Sequence, residues 1–154
     1  MNDGKEELDE LREAVREFLA AKSPESAVRA AMDTGYDPAV WDQMARQLRL
    51  QGLALPGEYG GDGFGLTELE VVLEEMGAAL ACSPFFATVV LAAQALLASG
   101  DEAACARYLP GIAAGQTIAT LAAEPPIKSR LPQPFSPIHP NQVRKQARRT
   151  STAL

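Results

Sequence analysis

Five glycines fall within the nine positions from Gly57 to Gly65, in the segment Leu55-Pro56-Gly57-Glu58-Tyr59-Gly60-Gly61-Asp62-Gly63-Phe64-Gly65. Only glycine takes positive φ without a Cβ penalty, so this density demands tight turns or close approach of the backbone to something else. Helical apolar periodicity flanks the loop on both sides, which makes it a joint between helices. Directly after it, Thr67-Glu68-Leu69-Glu70 reads as a capping box with Thr67 at the N-cap, and Leu66 and Val71 stand where a hydrophobic staple would place them.

The rest of the first 124 residues is punctuated helix. Leu8, Leu11, Val15, Phe18 and Leu19 recur at spacings of three and four, which predicts an amphipathic helix over Lys5 to Ala21. Ser23-Pro24 and Asp37-Pro38 each pair a cap with proline at the first helical position, predicting a short helix from Pro24 to Met32 and another ending near Leu50. Val40, Trp41, Met44, Ala45 and Leu48 mark the apolar face of the second. A fourth helix runs over Glu68 to Leu80 with Leu69, Val72, Leu73, Met76 and Leu80 inward. A fifth, Ser83-Pro84 to Ala98, is apolar nearly all round and belongs at the centre of a bundle. Gly100 ends it, Asp101 caps a last helix through Leu109, and Pro110 with Gly115 closes the helical region. Thr117 to Leu121 alternates like one strand or an extended lead-out. The expected fold is therefore an all-α bundle of five to six helices.

Composition then divides the chain. Residues 1–124 carry eight basic and twenty acidic side chains, a formal −12, whereas residues 125–154 carry six basic side chains and no acid, +6. An acidic body lacks the basic face that nucleic acid requires. No run reaches the ~18 apolar residues of a membrane span, and the acidic start is unlike a secretion signal. A cytoplasmic protein, with neither nucleic acid nor membrane as partner, is expected. Residues 125–154 hold six prolines and almost no periodic apolar pattern, so they are expected to be a disordered tail that cannot offset its ordering entropy.

Three segments resemble one known family. Leu50-Gln51-Gly52-Leu53-Ala54-Leu55-Pro56-Gly57-Glu58-Tyr59-Gly60-Gly61-Asp62-Gly63 is similar to the "LGxxGLxxPxEYGGxG" loop of the acyl-CoA dehydrogenases. Val72-Leu73-Glu74-Glu75-Met76-Gly77 resembles the helix that follows that loop, and Tyr108-Leu109-Pro110-Gly111-Ile112-Ala113-Ala114-Gly115-Gln116-Thr117-Ile118-Ala119 resembles the family's "ryLPxlasGexia". The likeness runs from about Glu6 to Pro125 and corresponds to the N-terminal helical domain alone. It divides the chain into a family domain, 1–124, and a tail foreign to the family, 125–154, as a truncation or frameshift would produce.

The resemblance implies FAD-dependent α,β-desaturation of an acyl-CoA, with electrons passed to an electron-transfer flavoprotein, and a homo- or hetero-oligomer. It also implies that an isolated chain does not turn over, since the family's catalytic glutamate and most of its flavin site lie in other domains. An alternative is a helical subunit completing a separately encoded dehydrogenase. Val72, Met76, Phe85, Phe86, Val90 and Leu91 resemble the helix pair that lines the acyl-chain pocket, and of these Met76, Phe85, Phe86 and Val90 are the candidate substrate contacts, with core packing as the competing role. Glu124-Pro125 resembles the end of the flavin-facing "TEP" element, but Ala123 stands where that element has threonine, removing a hydroxyl donor.

No other constellation carries chemistry. The glycine loop lacks both a preceding strand and the dinucleotide glycine order, and Glu58, Asp62, Glu68 and Glu70 would repel phosphate, so a structural turn is expected. Glu74 and Glu75 read as a solvated helix face rather than a general base. Cys82 and Cys105 read as small buried hydrophobes. His139, the one histidine, lies in the proline-rich tail, so neither a triad nor a metal site is expected. Arg144 to Arg149 form a small basic cluster read as solvated.

Overall fold

The computed structural model of this protein describes residues 3–122. The expected tail, Ala123 to Pro125, His139 and the basic cluster lie outside the described residues.

The first apolar stripe does what its spacing demands. Helix α1 (Asp3–Lys22) buries Val15, Phe18 and Leu19, and packs along α4 (Leu66–Ala78), which presents Leu69, Val72 and Met76 to the same cluster. Helix α2 (Glu25–Thr34) lies on the surface with no buried residue, and Gly35 at φ 98° ends it. Its N-cap is Pro24 rather than Ser23, whose N–H still bonds back to Leu19 in α1 at 2.7 Å. Helix α3 (Pro38–Gln43) starts as predicted: the Asp37 carboxylate accepts from the N–H of Ala39 at 2.8 Å and Pro38 opens the first turn. The winding then loosens to a π turn over Met44–Leu48 and stops at Arg49 in the left-handed region. Trp41, Met44 and Ala45 point inward.

The glycine segment is a closed structural turn. Its successive N–H groups at Gly61, Asp62, Gly63 and Phe64 donate to the carbonyls of Pro56, Gly52, Leu55 and Leu53. Gly60 and Gly63 take φ of 82° and 75°, and a Cβ on Gly61 would collide with the Leu55 carbonyl. Arg49 clamps the far side, donating to the Asp62 carboxylate at 2.8 Å and the Gly60 carbonyl at 3.3 Å.

Two predicted details shift. The helix after the loop begins at Leu66, with Gly65 at its N-cap and Glu68 accepting from the Gly65 N–H at 2.8 Å as half of a box, in place of the Thr67–Glu70 pair. The Phe64 N–H bond to Leu53 holds the chain extended up to Gly65, so the first helical residue falls two positions earlier. Leu66 consequently faces solvent at 65% exposure and makes no staple with buried Val71. The last helix, α6 (Glu102–Ala113), is capped by Asp101 as predicted but runs through Pro110 instead of ending at Leu109. Proline forfeits its own N–H bond, yet its carbonyl still accepts from Ala114 at 3.1 Å.

The apolar fifth segment is the centre of the bundle. It is π-wound over Phe86–Ala93 and continues as α5 (Gln94–Ser99). Phe85 and Val89 join the cluster of α1, α3 and α4, while Ala93 joins Leu55, Cys105, Leu109 and Ile112 in a second. Residues 117–122 leave α6 as neither helix nor strand, alternating half-buried and exposed over 117–120 and exposed at Leu121 and Ala122.

Candidate functional site

The chain reverses between α4 and the central helix within a few residues. Leu80 takes φ 49°, Ala81 N–H bonds the Met76 carbonyl at 2.9 Å, and Ser83 Oγ accepts from Phe85 N–H at 3.2 Å to start the next helix. This tight turn leaves an open groove of about 260 Å³ lined by Leu73, Met76, Gly77, Leu80, Phe85 and Phe86, with Ala81 and Ser83 at its edge. Met76 and Phe85, 7% and 1% exposed, form its floor, while Leu80 and Phe86, at 72% and 54%, form an exposed rim. A Cβ on Gly77 would meet nothing within 4 Å, so the groove is open there.

Three of the four candidate residues from the sequence therefore converge, Met76, Phe85 and Phe86. Val90 does not line the groove; it sits one turn on, half-buried against the first cluster. Leu73 and Leu80 line the groove with them. Leu73 falls on the inward stripe of α4, but Leu80, expected inward at the end of that helix, lies past its last residue Ala78 in a turn at φ 49° and is exposed, so the turn and not the helical period brings it to the cleft. The lining carries no ionisable group, so the groove can hold an alkyl or ring surface and exclude water but cannot move a proton.

The adjacent acidic pair divides. Glu74 is exposed, but the Glu75 side chain is only 8% exposed, which corrects its reading as solvated. Arg16 holds it in a fork, Nε to Oε2 at 3.1 Å and Nη2 to Oε1 at 2.9 Å, and Arg12 Nη1 adds a bond at 3.0 Å while reaching Glu74 at 2.6 Å. These arginines, Arg16 foremost and against the opposing effect of burial, hold the Glu75 carboxyl below the usual carboxylate range. A carboxylate so clamped is a poor proton acceptor, and its work is to lock α1 onto α4.

A larger, polar cavity of about 640 Å³ lies between the loop and α6, bordered by Arg46, Arg49, Glu58, Tyr59 and Gly115. Burial, then the neighbouring Glu58, pushes the Tyr59 hydroxyl up. A flavin dinucleotide would need cations or free amides here for its pyrophosphate. Arg46 is paired with Asp42 and Arg49 with Asp62, and the loop amides are spent on loop carbonyls. Asp37 and Asp101 cap the N-termini of α3 and α6, and at α4 the Glu68 carboxylate, bonded to the Gly65 N–H, sets a negative charge at the first turn. Residues 3–122 thus do not fit a flavin cradle by themselves. Cys105 is buried and donates to the Leu96 carbonyl at 3.3 Å, and Cys82 is half-buried; no group of three or more potential metal ligands occurs among the described residues. No helix among them is long and apolar enough to cross a membrane.

Comparison with known proteins agrees with this architecture. A sequence profile of the acyl-CoA dehydrogenase N-terminal domain matches residues 5–116. The chain is 39% identical over 122 residues to the acyl-CoA dehydrogenase IpdE2 of Mycobacterium tuberculosis, covering 78% of this chain and 37% of that protein. It is 30% identical over 125 residues to the mitochondrial isovaleryl-CoA dehydrogenase of Pongo abelii, covering 79% and 29%. A solved variant of the Tcur3481-Tcur3483 steroid ACAD superposes with a TM-score of 0.69 at 34% identity, over 75% of this chain and 32% of that one. The chain thus spans only about a third of the length of the curated relatives it matches, from 29% to 38%.

Proposed function

We propose, for a chain that belongs to the acyl-CoA dehydrogenase family through its N-terminal helical domain, that the groove of Met76, Phe85 and Phe86 is one wall of an acyl-thioester site. The whole activity would be FAD-dependent desaturation of an acyl-CoA, with an electron-transfer flavoprotein as acceptor. The flavin and the proton-abstracting base would be supplied from outside residues 3–122. The observation that carries the reading is the convergence of three family-matched pocket residues on an open cleft free of charge. In the family's chemistry a water-excluding wall strengthens the electrostatics acting on the thioester. Phe86 and Leu80 would supply it by contact, with Met76 and Phe85 fixing their positions from beneath.

Titration of the isotope-labelled chain with octanoyl-CoA, followed by amide chemical shifts, tests this wall. Gly77, Leu80 and Phe86 should move, and free coenzyme A should leave them in place. Unmoved amides, or equal movement with free coenzyme A, would refute it. Because one solved relative is described as a steroid ACAD, a polycyclic acyl thioester is the second ligand to titrate.

A further inference from the structure

The central helix does two things at once. Phe85 and Phe86 border the groove on one side, while Thr88, fully buried, faces away toward the segment 117–122. There its hydroxyl donates to the Ala119 carbonyl at 3.0 Å and lies 3.2 Å from the Ala119 N–H, which donates to it. Two other ties hold the start of this segment: Trp41 Nε1 donates to the Gly115 carbonyl at 2.8 Å, and Thr117 N–H to that of Gly111 at 2.9 Å. No strand ladder supports Ala119 among the described residues, so beyond Thr117 a single side chain bonds both part-buried peptide groups of Ala119.

We propose that Thr88 is a positioning residue: its two-way hydrogen bond locks residues 117–122 to the helix that carries Phe85 and Phe86, fixing that segment relative to the groove. Its functional weight rests on the acyl-wall reading above. A threonine suits the task because one rotatable hydroxyl both donates and accepts, and its β-branch keeps χ1 stiff. Valine has the same shape without the hydroxyl and would leave both peptide groups of Ala119 facing a methyl.

Amide hydrogen exchange on the 154-residue chain, with Thr88→Val and Thr88→Ser, tests the lock. Ala119 should exchange about tenfold faster in T88V, equivalent to ~1.4 kcal/mol, with Val72 and Leu109 unchanged, and T88S should restore it. With octanoyl-CoA bound, Ala119 should slow further in the wild type and T88S but not in T88V, a coupling that a merely structural role would not produce. Unchanged Ala119 in T88V, or T88S behaving like T88V, would overturn the proposal. Should T88V not fold, the wild type decides: Ala119 exchanging as fast as exposed Ile118 and Thr120 overturns it, and Ala119 exchanging with the central helix upholds it. If octanoyl-CoA moves no groove amide while the exchange pattern holds, the acyl-wall reading fails and the lock stands.

Discussion

Gly61→Ala is the sharpest test of how the loop holds its shape. A Cβ built on Gly61 lands against the Leu55 carbonyl and 2.6 Å from the Leu55 Cβ, and since both belong to a fully buried residue, no flexible side chain can swing aside. Relief of overpacking costs about 1–3 kcal/mol. The loop must move to obtain it, which weakens the Gly61 to Pro56 and Gly63 to Leu55 bonds at 3.2 and 2.9 Å, each worth about 0.5–1.5 kcal/mol net. A destabilisation of about 2–4 kcal/mol follows, or a melting temperature lower by roughly 3–6 °C per kcal/mol for a domain of this size. Gly57→Ala, four residues away, is the internal control: its Cβ meets nothing within 4 Å and its φ is not positive. It should be neutral or raise stability by up to about 1 kcal/mol through the unfolded chain. Urea unfolding followed by circular dichroism reads both variants on one scale. Should G61A and G57A fall within about 0.5 kcal/mol of each other, close approach to Leu55 does not determine the loop.

Two further outcomes follow from side chains already placed. Because Glu75 titrates below its unfolded value in the folded protein, its contribution is fully present above the unfolded carboxylate pKa and disappears as pH falls through the folded one. Urea midpoints of wild type and Glu75→Gln should therefore differ most at pH 7, and the gap should narrow as the pH is lowered below the unfolded carboxylate pKa; a gap that does not change with pH would refute the clamp. Phe85→Ala should destabilise by about 3–5 kcal/mol as a core deletion, whereas Phe86→Ala should stay within about 0.5 kcal/mol yet abolish the octanoyl-CoA shift at Gly77. A Phe86→Ala chain that binds octanoyl-CoA unchanged would remove the rim from the site.

What was legible in the sequence depended on range. Asp37-Pro38 and Asp101 marked their helix starts because a cap acts on N–H groups two or three residues away. Thr67-x-x-Glu70 satisfies that local pattern in full and Gly65-x-x-Glu68 only in its glutamate half, yet the helix starts from Gly65, whose N–H bonds Glu68, after a bond from Phe64 to Leu53 across the loop. The apolar central helix is recognisable by composition, but its π winding over Phe86–Ala93 has no local residue pattern to mark it. Glu74 and Glu75 differ only by about 100° around α4, and nothing in their own neighbourhood says which one meets Arg12 and Arg16 from α1. The groove followed the same division. Met76, Phe85 and Phe86 follow from family likeness, while the exposed rim at Leu80 depends on the positive φ of the turn.

The arrangement of floor and rim bears on why such a turn persists. Both clusters close without Leu80 and Phe86, which the bundle leaves 72% and 54% exposed. Folding alone gives little reason for large apolar side chains at these positions, because apolar surface left in water forgoes about 25 cal/mol per Å² of burial. Nor is the turn undemanding: Leu80 holds a left-handed φ that a non-glycine residue adopts at a cost of about 1–2 kcal/mol. Beneath it, Met76 and Phe85 are fixed by the core, so the rim stands on a rigid base rather than on a loose loop. A strained turn that lifts two apolar side chains over an immobile floor is stable only when the core supplies the surplus. The Phe85 and Phe86 pair separates those two contributions, since one residue belongs to the base and its neighbour to the surface it presents.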